Sequence, residues 1–203
     1  MILTTTGKAV AEQAKTGSYI GIPYSKLDCQ AFVEQVLRDL GVRKPDGTVY
    51  NWRGSNSMYR NFINWRGTIA ECREKFGYIP DGAFMFLVKN DGGEVEKGYH
   101  DGLGNASHVG LYVSGDVYPC MDSQEEKGSR PNAGVAYCKL NVFTHVGLMS
   151  MIDYDNKPEP EPIKPTKDEA LKALEIISEY IKNFLTISAE NLLLNIKEVL
   201  DEY

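Results

Sequence analysis

Apolar residues recur at helical spacing early in the chain and at strand spacing later. The clearest helical stripe is Phe32, Val33, Val36, Leu37 and Leu40, the i, i+4, i+8 face of an amphipathic helix. Asp28 is a favoured N-cap residue and Gly41 stands where a helix end favours glycine, so the pattern predicts a helix with Cys29 in its first turn. Residues 6–18 predict a shorter helix ending at Gly17, and residues 57–62 and 69–76 predict two more. From residue 82 the period changes. Residues 82–88 are an apolar run of strand length. Residues 108–113, 117–123, 134–138 and 145–149 follow as short strands, separated by turn signals such as Asn90-Asp91-Gly92-Gly93 and Ser114-Gly115-Asp116. Helices first and consecutive strands after them predict an α+β domain, with N-terminal helices packed on an antiparallel sheet, ending near Asp153.

Residues 155–165 carry four prolines and predict an extended, semi-rigid linker. Thr166-Lys167-Asp168-Glu169 is a capping-box signature. It opens a helix whose apolar face reads Leu171, Leu174, Ile177, Ile181, Phe184 and Leu185. Ser188 caps a second helix carrying Leu192, Leu193, Ile196, Val199 and Leu200. The division is therefore 1–154, a linker over 155–165 and an α-helical hairpin over 166–203. Two short helices bury little alone. The hairpin needs another surface: a second copy, giving a homo-oligomer through 166–203, or the first domain, or an external target.

Composition narrows the functions. A 42% apolar content is enough for a packed core. The net charge of −6, with no Lys/Arg run and no glycine-rich phosphate loop, argues against nucleic acid and anionic membrane as partners. No apolar stretch reaches the ~18 residues of a membrane span. Residues 1–8 lack the basic and apolar regions of a signal peptide, which predicts a cytoplasmic chain. The four cysteines, Cys29, Cys72, Cys120 and Cys138, are widely spaced with no Cys-x-x-Cys, against a zinc site or a disulfide framework. No metal and no cofactor is implied.

The candidate chemistry starts at Cys29. A helix start favours thiolate, the nucleophilic form of cysteine. Such a nucleophile needs a base near it in space. The alternative is a small apolar residue buried at a helix start. Only His100, His108 and His145 can serve as an imidazole base. His108 reads as the first residue of a strand, after the glycine-rich residues 102–107. His145 sits similarly, and local context does not separate them. Trp52 and Trp65 fit either a groove wall or ordinary core packing.

Three motifs together resemble a known family. Ile22-Pro23-Tyr24 followed by Asp28-Cys29-Gln30-Ala31-Phe32-Val33 is similar to the nucleophile motif of the NlpC-type cysteine peptidases, papain-like enzymes of cell-wall peptidoglycan. Their pattern runs Pro-Tyr, then Asp-Cys-Ser-Gly-Phe-Val. Ser107-His108-Val109-Gly110-Leu111-Tyr112-Val113 resembles their His-Val-Gly-Ile-Tyr strand, and Pro80-Asp81-Gly82-Ala83-Phe84 their Pro-Gly-Asp-Leu segment. The resemblance spans about residues 6–150. It implies a papain-like NlpC-type domain in which Cys29 is the nucleophile and His108 the base. It further implies a polar third member on the next strand, Asp122, with Gln124 as the alternative. Tyr24, Asp28 and Ser107 would line the substrate site. Gln30-Ala31 replaces the usual Ser-Gly and is expected to reshape the pocket. The implied function is hydrolysis of an amide in peptidoglycan stem peptides. The alternatives are an N-acetylmuramoyl-L-alanine amidase with the same chemistry and an inactive wall-binding or assembly module. With the linker and tail, the organisation resembles a phage or prophage endolysin, held in the host cytoplasm until released to the wall.

Overall fold

The nucleophile helix forms where its stripe predicts. In the computed structural model, which describes residues 5–44, 46–128, 132–154 and Lys172, Glu175, Ser178, Glu179, Ile181 and Lys182, helix α2 is Cys29–Asp39. Asp28 caps it, its carboxylate accepting the Ala31 N–H at 2.8 Å, and Gly41 follows its end with φ 72°. Before it, strand β1 (Thr5–Thr6) leads into α1 (Gly7–Thr16), capped by Thr6 and ended by Gly17. A polar chain pins the two helices together. Gln13 donates to the Tyr19 hydroxyl at 3.0 Å, and that hydroxyl donates to Asp39 at 2.5 Å.

The chain divides into two compact units, Met1–Pro158 and Glu159–Tyr203. In the second, the six described residues are helical and exposed. The proline-rich linker, the second helix of the hairpin and most of the first lie outside the described residues. No helix among the described residues is long and apolar enough to cross a membrane.

The first unit is α+β. After α2 come α3 (Ser55–Asn61), β2 (Trp65–Thr68), α4 (Ile69–Phe76), β3 (Phe84–Lys89) and a single turn of helix, α5 (Gly93–Glu96). Then follow β4 (Asn105–Tyr112), β5 (Cys120–Gln124), β6 (Gly134–Cys138), a 3₁₀ turn at Leu140–Val142, β7 (His145–Leu148) and β8 (Ile152–Asp153). Six strands form an antiparallel sheet in the order β2-β7-β3-β4-β5-β6. β3 to β6 run as a meander, and β7 returns to the far side of β3. β1 and β8 pair in parallel, Thr5 opposite Ile152.

Alternation along the strands separates two cores. Phe84, Phe86, Val109, Leu111, Met121 and Val135 pack with Val10, Phe32, Val33, Val36 and Leu37 of the helical layer. Met85, Cys120, Cys138 and Val146 face the other way, with Cys72 of α4 and Phe143. Burying a side chain of this kind contributes about 1.5–3 kcal/mol.

Two expectations need correcting. β4 begins at Asn105, so His108 lies inside a strand and not at its start. Residues 43–68, read as turns and a short helix, also contain β2, whose four half-buried residues carry no apolar alternation.

Candidate active site

His108 is placed by a break in the ladder. On β3, Leu87 pairs with His108 and Val88 with Ala106, so Ser107 is the extra residue of a β-bulge. Because of it, Ala106 and Val109 both reach the helix-side core. Helix α3 supports this break. Ser55 donates to the Ala106 carbonyl at 2.6 Å, and the Asn56 side chain accepts the Ala106 N–H at 2.8 Å. Asn56 also donates to Asn105 at 2.7 Å, and Arg60 holds both Asn56 and the Gly104 carbonyl at 2.9 Å.

Asp122 sits across from Gly110 on β5 and is fully buried. Its Oδ2 accepts from His108 Nε2 at 2.7 Å, and from Gln124 Nε2 at 2.6 Å. The two candidates for a third member are thus consecutive: Asp122 touches the ring and Gln124 touches Asp122. Phe143 stacks on the other surface of the His108 ring, centroids 5.8 Å apart and planes 6° apart. Gly110 makes the space for both. A Cβ there would lie 2.6 Å from the Met121 carbonyl oxygen, 2.7 Å from the Phe143 ring and 3.0 Å from the Asp122 Cβ. Gly110→Ala is therefore expected to cost about 1–3 kcal/mol, read from urea unfolding, since neither the ladder carbonyl nor the packed ring can yield freely.

The Cys29 side chain acts on both the His108 ring and the Tyr24 hydroxyl, raising the pKa of each. With Nε2 held by Asp122, the ring nitrogen left for the sulfur is Nδ1. Burial works against a charge on His108. The hydrogen bonds to Asp122 and Cys29, with the charges on both, outweigh it and raise the imidazole from 6.5 to about 9. Burial raises the Tyr24 hydroxyl, reinforced by the charges of Cys29 and Asp28, the hydrogen bond to Cys29 and the charge of Glu125.

The loop before α2 is tied to the strands beside Asp122. Gly21 N–H donates to the Val135 carbonyl at 2.9 Å, and Val135 N–H to the Ile22 carbonyl at 3.0 Å. This approach requires glycine at 134: φ is 73° and a Cβ would meet the Ile22 oxygen at 2.2 Å. Ser123 Oγ donates to the Leu27 carbonyl at 2.6 Å.

A cleft of about 670 Å³ opens over the ring, lined by Tyr24, Ser107, His108 and Gln124 together with Lys89 and Asn141. Tyr24 and Ser107 thus share it with His108. Asp28 is not among its lining residues. Gln30 is not among them either: its amide donates to Glu34 at 2.7 Å and to the Trp52 carbonyl, and the buried Glu34 accepts the Trp52 N–H at 2.7 Å. Gln30 thus stitches α2 to the segment before α3. Trp52 is core, stacked on Tyr50, and Trp65 packs on Phe76. His145 lies on β7 against Tyr59 and Thr144, with β3 between it and β4, and His100 is exposed.

Cys29 is 8% exposed, whereas Cys72, Cys120 and Cys138 have no exposure. Burial raises the Cys72 thiol to about 11 against the opposing charge of Arg73, and raises Cys120 further, aided by the charge of Asp122. Iodoacetamide is accordingly expected to modify Cys29 first in the folded protein, with the other three labelled far more slowly, as peptide mass spectrometry will show.

No protein-family model, curated protein or solved structure matches this chain.

Proposed function

We propose that this protein is a Cys-His hydrolase of the NlpC-like, papain-like kind that cleaves an amide in peptidoglycan stem peptides. The observation that carries the reading is the series Cys29, His108, Asp122, whose middle member lines an open cleft. In this reading the Cys29 thiolate attacks the scissile carbonyl, and the His108 imidazolium gives its proton to the departing amine. The thioester left on Cys29 is then opened by water, from which His108 takes a proton. Asp122 keeps Nε2–H engaged and balances the imidazolium charge. The oxyanion is met by the first-turn N–H of Cys29, an amide that precedes the intrahelical ladder of α2, and by the Tyr24 hydroxyl as a second donor. Asp28 serves as the cap of α2, and Tyr24 and Ser107 line the groove. The proline-rich stretch and the second unit suit an endolysin-like enzyme whose tail binds the wall or a second copy, raising avidity for a repetitive polymer.

The test is mass spectrometry of purified peptidoglycan incubated with the protein, before and after its thiol is blocked with iodoacetamide. New muropeptides from the unblocked protein alone support the reading, and their termini name the bond. A free stem peptide with an N-terminal alanine would point to the amidase instead. No products from several wall chemotypes, with folded protein, would leave a binding module.

A further inference from the structure

Two cysteines outside the cleft stand directly opposite each other. Cys120 is the first residue of β5 and Cys138 the last of β6, and the antiparallel register pairs them Cα to Cα. Both are fully buried in the same apolar cluster, with Met85, Phe143 and Val146, so both side chains leave the sheet on one face. Directly opposed residues of an antiparallel ladder have Cα atoms about 4.5–5.5 Å apart. A disulfide spans Cα separations of about 4.4–6.8 Å. We propose that Cys120 and Cys138 are a disulfide-forming pair, held as thiols in reducing surroundings and joined by a small-molecule disulfide in oxidising ones. The wide sequence spacing that argues against a disulfide framework is closed by the β5–β6 hairpin.

The pair is fully buried, at the edge of the sheet. β6 is the last strand of the sheet. Its first residues are held by the loop at Gly21 and Ile22, whereas Cys138 lies at the opposite end, next to Lys139 and the 3₁₀ turn. Cys120 follows the loop that carries Val117, which is 60% exposed. Access to the two sulfurs requires local opening of this end, two residues from the pairing of Asp122 with Ala136 and Gly110.

The reaction is thiol–disulfide exchange. Cys138, at the end that must open, attacks the external disulfide and expels one of its thiols. The Cys120 sulfur then displaces the second, and its proton leaves with that thiol. Two electrons and two protons pass from the protein to the oxidant, which is reduced to two thiols. The crosslink closes the hairpin that holds Asp122, whose position two residues from Cys120 puts it on the same face of β5. None of this depends on what the cleft cleaves.

The test treats the full chain with glutathione disulfide, in buffer and in sub-denaturing urea, then traps remaining thiols with iodoacetamide. Trypsin cleaves at Lys127, so the two cysteines fall on separate peptides unless bonded. The expected result is a Cys120–Cys138 linked pair that dithiothreitol releases, with Tm raised by about 6–12 °C. Cys138→Ser, or Cys138→Ala if the serine variant does not fold, should lose both. Recovery of Cys120 and Cys138 on separate alkylated or glutathionylated peptides under both conditions, from folded protein, would overturn the proposal. So would linkage that forms only on complete unfolding.

Discussion

Cys29→Ala is expected to release no muropeptide above background from walls that the unsubstituted protein digests, a loss of about 10⁴–10⁶-fold. The size follows from the chemistry. A methyl group can neither attack a carbonyl nor carry the acyl group, and the remaining donors bind substrate without a covalent path. The fold should be spared. Cys29 sits in the first turn of a helix whose cap is supplied by Asp28, and its neighbours Phe32 and Val33 carry the buried face. Alanine is the strongest helix former, so the unfolding free energy measured in urea should change by no more than about 1 kcal/mol. Muropeptide release measured beside circular dichroism separates the outcomes: full activity in this variant would remove Cys29 from the reaction.

The second large effect is expected from Asp122→Asn, with kcat lowered about 10³–10⁴-fold. The amide keeps the shape of the carboxylate but no longer supplies the charge that holds His108 protonated. Burial, the strongest influence on that ring, acts against the charge, so the imidazole should titrate below its present value of about 9. In the unsubstituted protein, on the proposed mechanism, the alkaline limb of the rate profile should fall near pH 9, where the proton needed by the departing amine is lost. In the variant that limb should move to lower pH. Stability should follow the same group. The folded ring keeps its proton to higher pH than the unfolded ring, so its contribution is complete below about 6.5 and is lost as pH rises through about 9. The slope is at most ~1.4 kcal/mol per pH unit for a single proton. Asp122→Asn should flatten it. An unchanged alkaline limb in the variant would count against Asp122 as the partner of His108.

What the sequence disclosed was local. The stripe from Phe32 to Leu40, with Asp28 and Gly41 at its ends, was enough to place α2 because a cap and a periodic face act within one element. α4 and β6 were legible for the same reason, and α4 carries a reciprocal cap between Thr68 and Glu71. The catalytic candidates Cys29 and His108 stood out through residue type and motif. What resisted reading depended on contacts across long stretches of chain. Asp122 and Gln124 share one face of one strand, so periodicity could not order them, and only their common oxygen does. The support of the bulge by Ser55 and Asn56 joins residues about fifty positions apart. Phe143 reads as one more apolar residue until the missing side chain of Gly110 gives it the surface of His108. β2 stayed hidden because an edge strand of mixed residues has no alternation to show.

The parallel pairing of β1 with β8 has a practical consequence for rearranging the chain. Thr5 and Thr6 lie beside Ile152 and Asp153, so the polypeptide enters and leaves this unit at neighbouring points. Domains whose ends meet tolerate circular permutation. A few glycines joining Tyr154 to Thr5, with new termini cut in the exposed loop between Asp116 and Val117, would preserve every sheet pairing and the cleft. The same geometry makes the unit a self-closed insert, able to sit inside a loop of another protein as readily as at its end.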